Sequence, residues 1–263
     1  DTSCFAAYYH GVLEGYLQKE NFSLDDFESM QKIASDTSSF CHDLKARNLP
    51  FKKFHECLHG LGHAYMFITE NELPLALKMC DTELLPNDAA WCYSGVFMEN
   101  SSSSTENDHP SKYVKEDDPL FPCSILEARY LGSCYTLQGS YFLRVAGGDW
   151  DSAVRLCEKI PDPYDLRCVG MIGQSQVNQP IGAYQMSQNC LSLALSSYQE
   201  TCIEGTIGAM GERFETDAVS RTVKFCESIS GEKKRSCYLQ FFQIVVKLMV
   251  FFSSSSIICF VRL

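Results

Sequence analysis

The chain has 263 residues, 45% of them hydrophobic and only 9 of them proline, which is ample apolar material for one substantial core or one continuous array. Its formal net charge of −11 argues against a nucleic-acid or anionic-membrane partner, because both need basic surface to displace counterions; a cationic ligand, a metal or another protein fits better. Fourteen cysteines without the CxxC spacing of a zinc ribbon or thioredoxin-like site read as disulfides, which place the protein in an oxidising, extracytoplasmic compartment: secreted, periplasmic or lumenal.

The chain opens at Asp1 with neither a methionine nor a signal-type apolar stretch, so a processed product or a fragment is expected. Residues 1–22 are expected to form the helix of a half-repeat, followed over 23–251 by an array of paired helices. Twelve cysteines there fall into six couples: Cys41/Cys57, Cys80/Cys92, Cys123/Cys134, Cys157/Cys168, Cys190/Cys202 and Cys226/Cys237. Successive second cysteines are separated by 35, 42, 34, 34 and 35 residues. A period of this length is one αα-hairpin, and the long interval marks an inserted loop over 100–118, visible as the polar run from Asn100 to Ser111.

Each unit reads as an amphipathic helix ending in the first cysteine, a turn, and a second helix opening near the second cysteine. In the unit from Asp149 to Cys157, Asp149 suits an N-cap, and Pro161-Asp162-Pro163 stops the helix. The two cysteines of a couple flank a short turn, so each is expected to close on itself within its hairpin. Bridges between consecutive repeats, or free thiols, are the competing readings. Cys4 and Cys259 stand outside the pattern.

Two sequons, Asn21-Phe22-Ser23 and Asn100-Ser101-Ser102, suit a eukaryotic secretory route but arise often by chance. The apolar end, 241–263, carries Lys247 and the run Ser253 to Ser256, which makes it a poor membrane span. Three readings compete for it: a marginal anchor, a capping helix over 238–251 with a tail, or a stretch foreign to the native protein. The capping helix is preferred, and 252–263 is left open.

The period, the alanine-bearing first helices (Ala76, Ala153, Ala218) and the Gly/Tyr-rich second helices resemble the tetratricopeptide and Sel1-like repeat superfamily, in its disulfide-stapled form. The resemblance is architectural and covers residues 23–251. It implies an all-α, right-handed solenoid of about six αα-hairpins, and surfaces for binding rather than a particular chemistry.

Helix geometry then sorts the faces. Gly60, Gly95 and Gly205, three beyond their cysteines, and Gly139 and Gly173, five beyond, are expected to let neighbouring repeats approach closely. Positions two and six beyond the cysteine lie about 200° and 240° round the helix, on the side expected to line the concave surface. In the first full unit these are His59 and His63, with His55 one turn earlier, and all three are read as surface-lining. His10-Gly11 aligns with His59-Gly60 one repeat before, and Glu14 with His63. Stacking the two helices makes His10, Glu14, His59 and His63 converge, with Glu99 of the next unit in reach.

Two histidines four apart, faced by His and Glu at the same spacing, make a four-ligand nitrogen/oxygen site for a divalent metal, zinc first and iron or copper next. The competing reading is a polar, pH-responsive surface. His55-Glu56-Cys57-Leu58-His59 also fits the HExxH pattern, in which both histidines are ligands and Glu56 is the base. The metzincin extension is missing, since Tyr65 stands where its third histidine belongs. The leading expectation is a binding or scaffold protein that presents the histidine cluster and a row of Ser94, Thr136, Gln174 and Glu204 to a protein or small-molecule ligand in the concave groove. The alternatives are a metal-dependent hydrolase or redox enzyme with Glu14, Glu56 or Glu99 as base, and a scaffold without ligand.

Overall fold

The computed structural model describes residues 11, 15, 27–46, 51–83, 85–103, 111–212 and 218–254, and among these every regular element is helical. The helix expected over 1–22 lies outside the described residues except for Gly11 and Gly15, and Cys4 and Cys259 also lie outside. The chain divides into two compact units after Tyr141.

The first unit holds α1 (Phe27–Ala46), α2 (Phe51–Ile68), α3 (Leu73–Glu83), α4 (Pro86–Ser103), a 3-10 turn (Cys123–Ile125) and most of α5 (Ala128–Val145). On α1 the positions Met30, Ile33, Ala34, Thr37 and Cys41 recur at helical spacing and all are buried. Thr37 answers its burial by meeting the Tyr65 hydroxyl of α2 at 2.9 Å. Helix α2 stops where Glu70 and Asn71 take φ of 52° and 62°, a left-handed reversal that returns the Asn71 amide to the Met66 carbonyl at 2.9 Å. The next helix, α3, buries Leu73, Ala76, Leu77 and Cys80.

The second unit holds α6 (Trp150–Cys157), α7 (Tyr164–Ser175), a 3-10 turn (Gln176–Asn178), α8 (Ala183–Leu191), α9 (Ser196–Glu212), α10 (Ala218–Glu227) and α11 (Gly231–Ser254). Gly147 and Gly148 end α5 with φ of 60° and 83°, angles that carry little cost only without a Cβ. Asp149 then caps α6 as expected, its carboxylate accepting from the Ser152 amide at 2.8 Å. Helices α7 and α9 pack backbone to backbone: a Cβ at Gly205 would fall 2.0 Å from the Gly170 carbonyl oxygen, and one at Gly173 2.4 Å from that of Cys202. Beside this contact Gln176 is buried and donates to the Thr206 hydroxyl at 2.8 Å, while accepting from Asn189 at 3.2 Å.

All six cysteine couples are disulfides within their own unit, with Cα–Cα separations from 5.4 to 5.8 Å. Five of them join two consecutive helices. The third departs from the expected plan, because Cys123 sits on the 3-10 turn and no first α-helix precedes it among the described residues. The expected loop also begins later than 100, since α4 runs on to Ser103. Its returning end is fastened to the unit's own helices. The Ser111 hydroxyl donates to Asn100 Oδ1 at 2.5 Å, Asn100 Nδ2 donates to the Tyr113 carbonyl at 3.2 Å, the Tyr113 hydroxyl donates to Glu72 at 2.9 Å, and Lys112 pairs with Glu72. Asn100 is therefore a buried latch, 3% exposed, and that sequon is a structural asparagine in the folded protein.

The capping helix expected over 238–251 is the continuation of α11, which starts at Gly231 and carries Cys237. No described helix is long and apolar enough to cross a membrane.

Candidate binding site between helices α2 and α4

Helices α2 and α4 belong to consecutive hairpins and approach as closely as backbones can. A Cβ on Gly62 would lie 2.1 Å from the Cys92 carbonyl oxygen, and one on Gly95 2.0 Å from that of His59. Gly95 thus does what its position three beyond Cys92 implied, and Gly62 supplies the facing gap. The close approach draws the flanking polar side chains of both helices together. His59 Nδ1 meets Ser94 Oγ at 2.7 Å, His63 Nδ1 meets Glu99 Oε2 at 2.6 Å, and the two imidazoles meet each other, Nε2 to Nε2, at 3.1 Å.

The hydrogens of this array follow from its ends. Ser94 gives its single hydroxyl hydrogen to the Trp91 carbonyl at 2.7 Å, so it accepts from His59, and His59 Nδ1 carries the hydrogen. A carboxylate can only accept, so His63 Nδ1 carries a hydrogen toward Glu99. In the neutral form of each ring the remaining nitrogen, Nε2, bears a lone pair. The two Nε2 atoms face each other at 3.1 Å, a contact that is a hydrogen bond when one of them carries a hydrogen and the other its lone pair.

The burial differs from the expectation of an open surface. His63 is 8% exposed and His59 is half-buried, beside the close glycine contact of α2 with α4. His55, expected on the same surface, is also 8% exposed and stacks on Trp91 of α4, with centroids 4.2 Å apart and planes 14° from parallel. Of the two histidines of the HExxH pattern, His59 meets His63 and His55 stacks on the Trp91 indole.

No family model, no curated protein and no solved structure matches the chain.

Of the remaining expected site residues, His10 and Glu14 lie outside the described residues. Among the described residues no three His, Cys, Asp or Glu side chains are grouped to hold one ion. Glu99 stands on the far nitrogen of His63 from the Nε2 meeting point. Ser94 belongs to the histidine array. Thr136 turns its hydroxyl to the Gly132 carbonyl of its own helix at 2.6 Å. In the second unit Gln174 is exposed, and Glu204 is exposed and accepts from Gln240 at 2.7 Å.

One polar centre of the first unit has no counterpart among the expected residues. Asp81 accepts from the hydroxyls of both Tyr93 and Tyr130, the latter at 2.5 Å, and pairs with Arg129 at 3.3 Å. Burial, then the bond to the Asp81 carboxylate, pushes both phenols well above the usual tyrosine range. Asp81 and Tyr130 border a cavity of about 490 Å³ lined also by Pro74, Leu77, Ile125, Leu126 and Arg129 among others. The second unit repeats the motif more simply, with the Tyr198 hydroxyl donating to Asp165 at 2.8 Å and shifted up for the same two reasons. A signal was present in the sequence: Tyr130, Tyr164 and Tyr198 each stand four residues before Cys134, Cys168 and Cys202.

Proposed function

We propose that the chain is an extracytoplasmic binding protein, a right-handed solenoid of disulfide-stapled αα-hairpins of the tetratricopeptide and Sel1-like kind, whose ligand-binding centre is the polar array between α2 and α4. The compartment is supported by six cystines, every one of them buried, since such crosslinks persist where the surroundings oxidise. The solenoid is supported by the period of 34 to 35 residues and by the same glycine-pinned contact between second helices in each unit, α2 on α4 and α7 on α9.

The observation that carries the binding role is the convergence of two imidazoles, a hydroxyl and a carboxylate in one hydrogen-bonded line. Four such groups, drawn together beside the glycine contact, cost desolvation and side-chain order without adding apolar packing. A ligand that engages them offsets that cost. The test is a thermal-shift panel of divalent metals, organic acids, amines and zwitterions, run on the oxidised full chain and on His59→Gln. A ligand selective for the native state raises the melting temperature in proportion to its occupancy. The reading predicts at least one ligand whose shift disappears in His59→Gln; shifts that persist in the variant, or a flat panel, would remove it.

A further inference from the structure

We propose that the outer face of α11 is a self-association surface, on which a second copy of the chain seats its own α11. The proposal is independent of the binding centre between α2 and α4 and rests on the register of the helical repeat.

Within each unit, the second helix of one hairpin receives the second helix of the next on positions two, five and nine beyond its cysteine. These positions lie about 140–200° round the helix from that cysteine, on one face. On α2, a Cβ at Gly62, five beyond Cys57, would meet the Cys92 carbonyl oxygen of α4. On α7, Gly170 and Gly173, two and five beyond Cys168, lie against Gly205 and Cys202 of α9. On α9, Glu204, two beyond Cys202, accepts from Gln240 of α11 at 2.7 Å, and a Cβ at Gly211, nine beyond, would lie 2.6 Å from Ile244 Cγ2. The answering residues Gly95, Gly205, Gln240 and Ile244 stand three or seven beyond their own cysteines, on the opposite side of the helix.

On α11 the receiving positions are Leu239, Phe242 and Val246, and they are 53%, 63% and 54% exposed. The position two beyond the cysteine is His59, Ser94, Thr136, Gly170 or Glu204 in the five earlier repeats, and a large apolar residue in the last. A helical array that ends in water carries a polar outer face on its final helix. A contiguous apolar stripe there marks a contact surface instead.

Two observations select the occupant. Helices α3, α8 and α10 begin fifteen or sixteen residues beyond the preceding second cysteine, whereas α11 is still helical there, running to Ser254, seventeen beyond Cys237. No following hairpin starts where the repeat would place it, so the cover comes from another molecule. The second observation is charge. From Ser236 to Val246 no residue is charged, in a chain of net charge −11. Two copies repel over most of their surface and can approach on this stripe. It offers no charge by which to select a different partner, and a two-fold interface needs only the same patch on both sides.

The experiment measures the oligomeric state of the oxidised full chain by sedimentation equilibrium and light scattering across the micromolar range. A monomer–dimer equilibrium is expected, and high salt should not dissolve it because the contact is apolar. Leu239→Glu and Phe242→Glu should each weaken the dimer by about 10-fold or more. Val219→Glu, at an apolar residue of α10 that is 61% exposed, should leave it unchanged. Circular dichroism and a count of free thiols establish that each variant is folded; Phe242→Ser replaces Phe242→Glu should the latter fail to fold. A chain that stays monomeric over that range, or a dimer indifferent to both Leu239 and Phe242, overturns the inference. A monomer that binds phosphatidylcholine vesicles through Phe242 would assign the face to a lipid surface and overturn it equally. None of these outcomes touches the ligand panel on His59→Gln, so the two readings stand or fall separately.

Discussion

Asp81 illustrates how single residues set the pH limits of this fold. Its carboxylate takes the hydroxyls of Tyr93 and Tyr130 in a largely buried place, and both phenols hold their protons well above the usual range. An unfolded tyrosine ionises near pH 10. A group whose folded pKa is raised stabilises the native state below the unfolded value and loses that contribution as pH climbs beyond it. Urea midpoints should therefore hold up to about pH 10 and fall progressively above it, and phenolate absorbance should show at least these two tyrosines silent until the protein unfolds. Asp81→Asn should cost about 2 kcal/mol at neutral pH, the worth of hydrogen bonds to a charged acceptor, and should make both phenols titrate earlier. At the acid end Asp149 works in the opposite sense. Ser152, through its hydroxyl and then its amide, holds the carboxyl below the usual range. Its contribution is present above the ordinary aspartate pKa and is lost as pH falls through the lowered one, so Asp149→Asn should flatten the acid limb of the stability curve and leave the alkaline limb unchanged.

Among the elements, the packing of second helices depends on which glycines face a backbone, and two glycines of α9 separate the cases. A Cβ at Gly205 meets the Gly170 carbonyl oxygen at 2.0 Å, whereas one at Gly208 meets nothing within 4 Å. Gly205→Ala must push α7 and α9 apart and should cost about 1–3 kcal/mol as an overpacking defect. Gly208→Ala relieves only the entropy of a helical glycine and should stabilise by up to about 1 kcal/mol. Equal denaturation midpoints for the two variants would contradict the geometry. This contact was legible in advance, because Gly95, Gly173 and Gly205 hold fixed offsets from their cysteines and a periodic helix converts offset into direction. The cysteine couples and the Asp149 cap were legible for the same local reason. His63 and His55 were read as surface-lining and both are buried, because burial depends on what packs against a helix and not on its own sequence. The distance between α2 and α4 is set by Gly62 against Gly95, and Trp91 reaches over His55 from the other side. The convergence of His59, His63 and Glu99 could be foreseen from register, but the assignment of Nδ1 to Glu99 and Ser94 could not, since it turns on rotamers and on the Trp91 carbonyl. The missing helix before Cys123 and the latch at Asn100 depend on how the inserted loop returns, which no periodicity encodes.

For the molecule as a whole, the crosslinks dominate the energetics. The six cystines close segments of 11 to 16 residues, and each such closure stabilises by about 3 kcal/mol through the unfolded chain. A native protein is typically stable by about 5–15 kcal/mol, so the loss of three or four bridges is comparable to the whole margin. A chain synthesised where thiols stay reduced should therefore accumulate unfolded, and should gain helix only on oxidation, as circular dichroism during air or glutathione refolding would show. The order of reduction is also fixed by the architecture. Every cystine sulfur belongs to a residue no more than 1% exposed, so a reductant reaches it only when the surrounding unit opens. Among the described cysteines no bridge joins the two units: Cys41–Cys57, Cys80–Cys92 and Cys123–Cys134 lie before the division at Tyr141, and the other three lie after it. Opening one unit exposes its three bridges together and leaves the other set shielded. Timed reduction without denaturant, quenched by alkylation and resolved by mass, should show chains with none, three or six bridges reduced as the prominent species. A ladder of singly and doubly reduced chains would mean that each hairpin opens by itself.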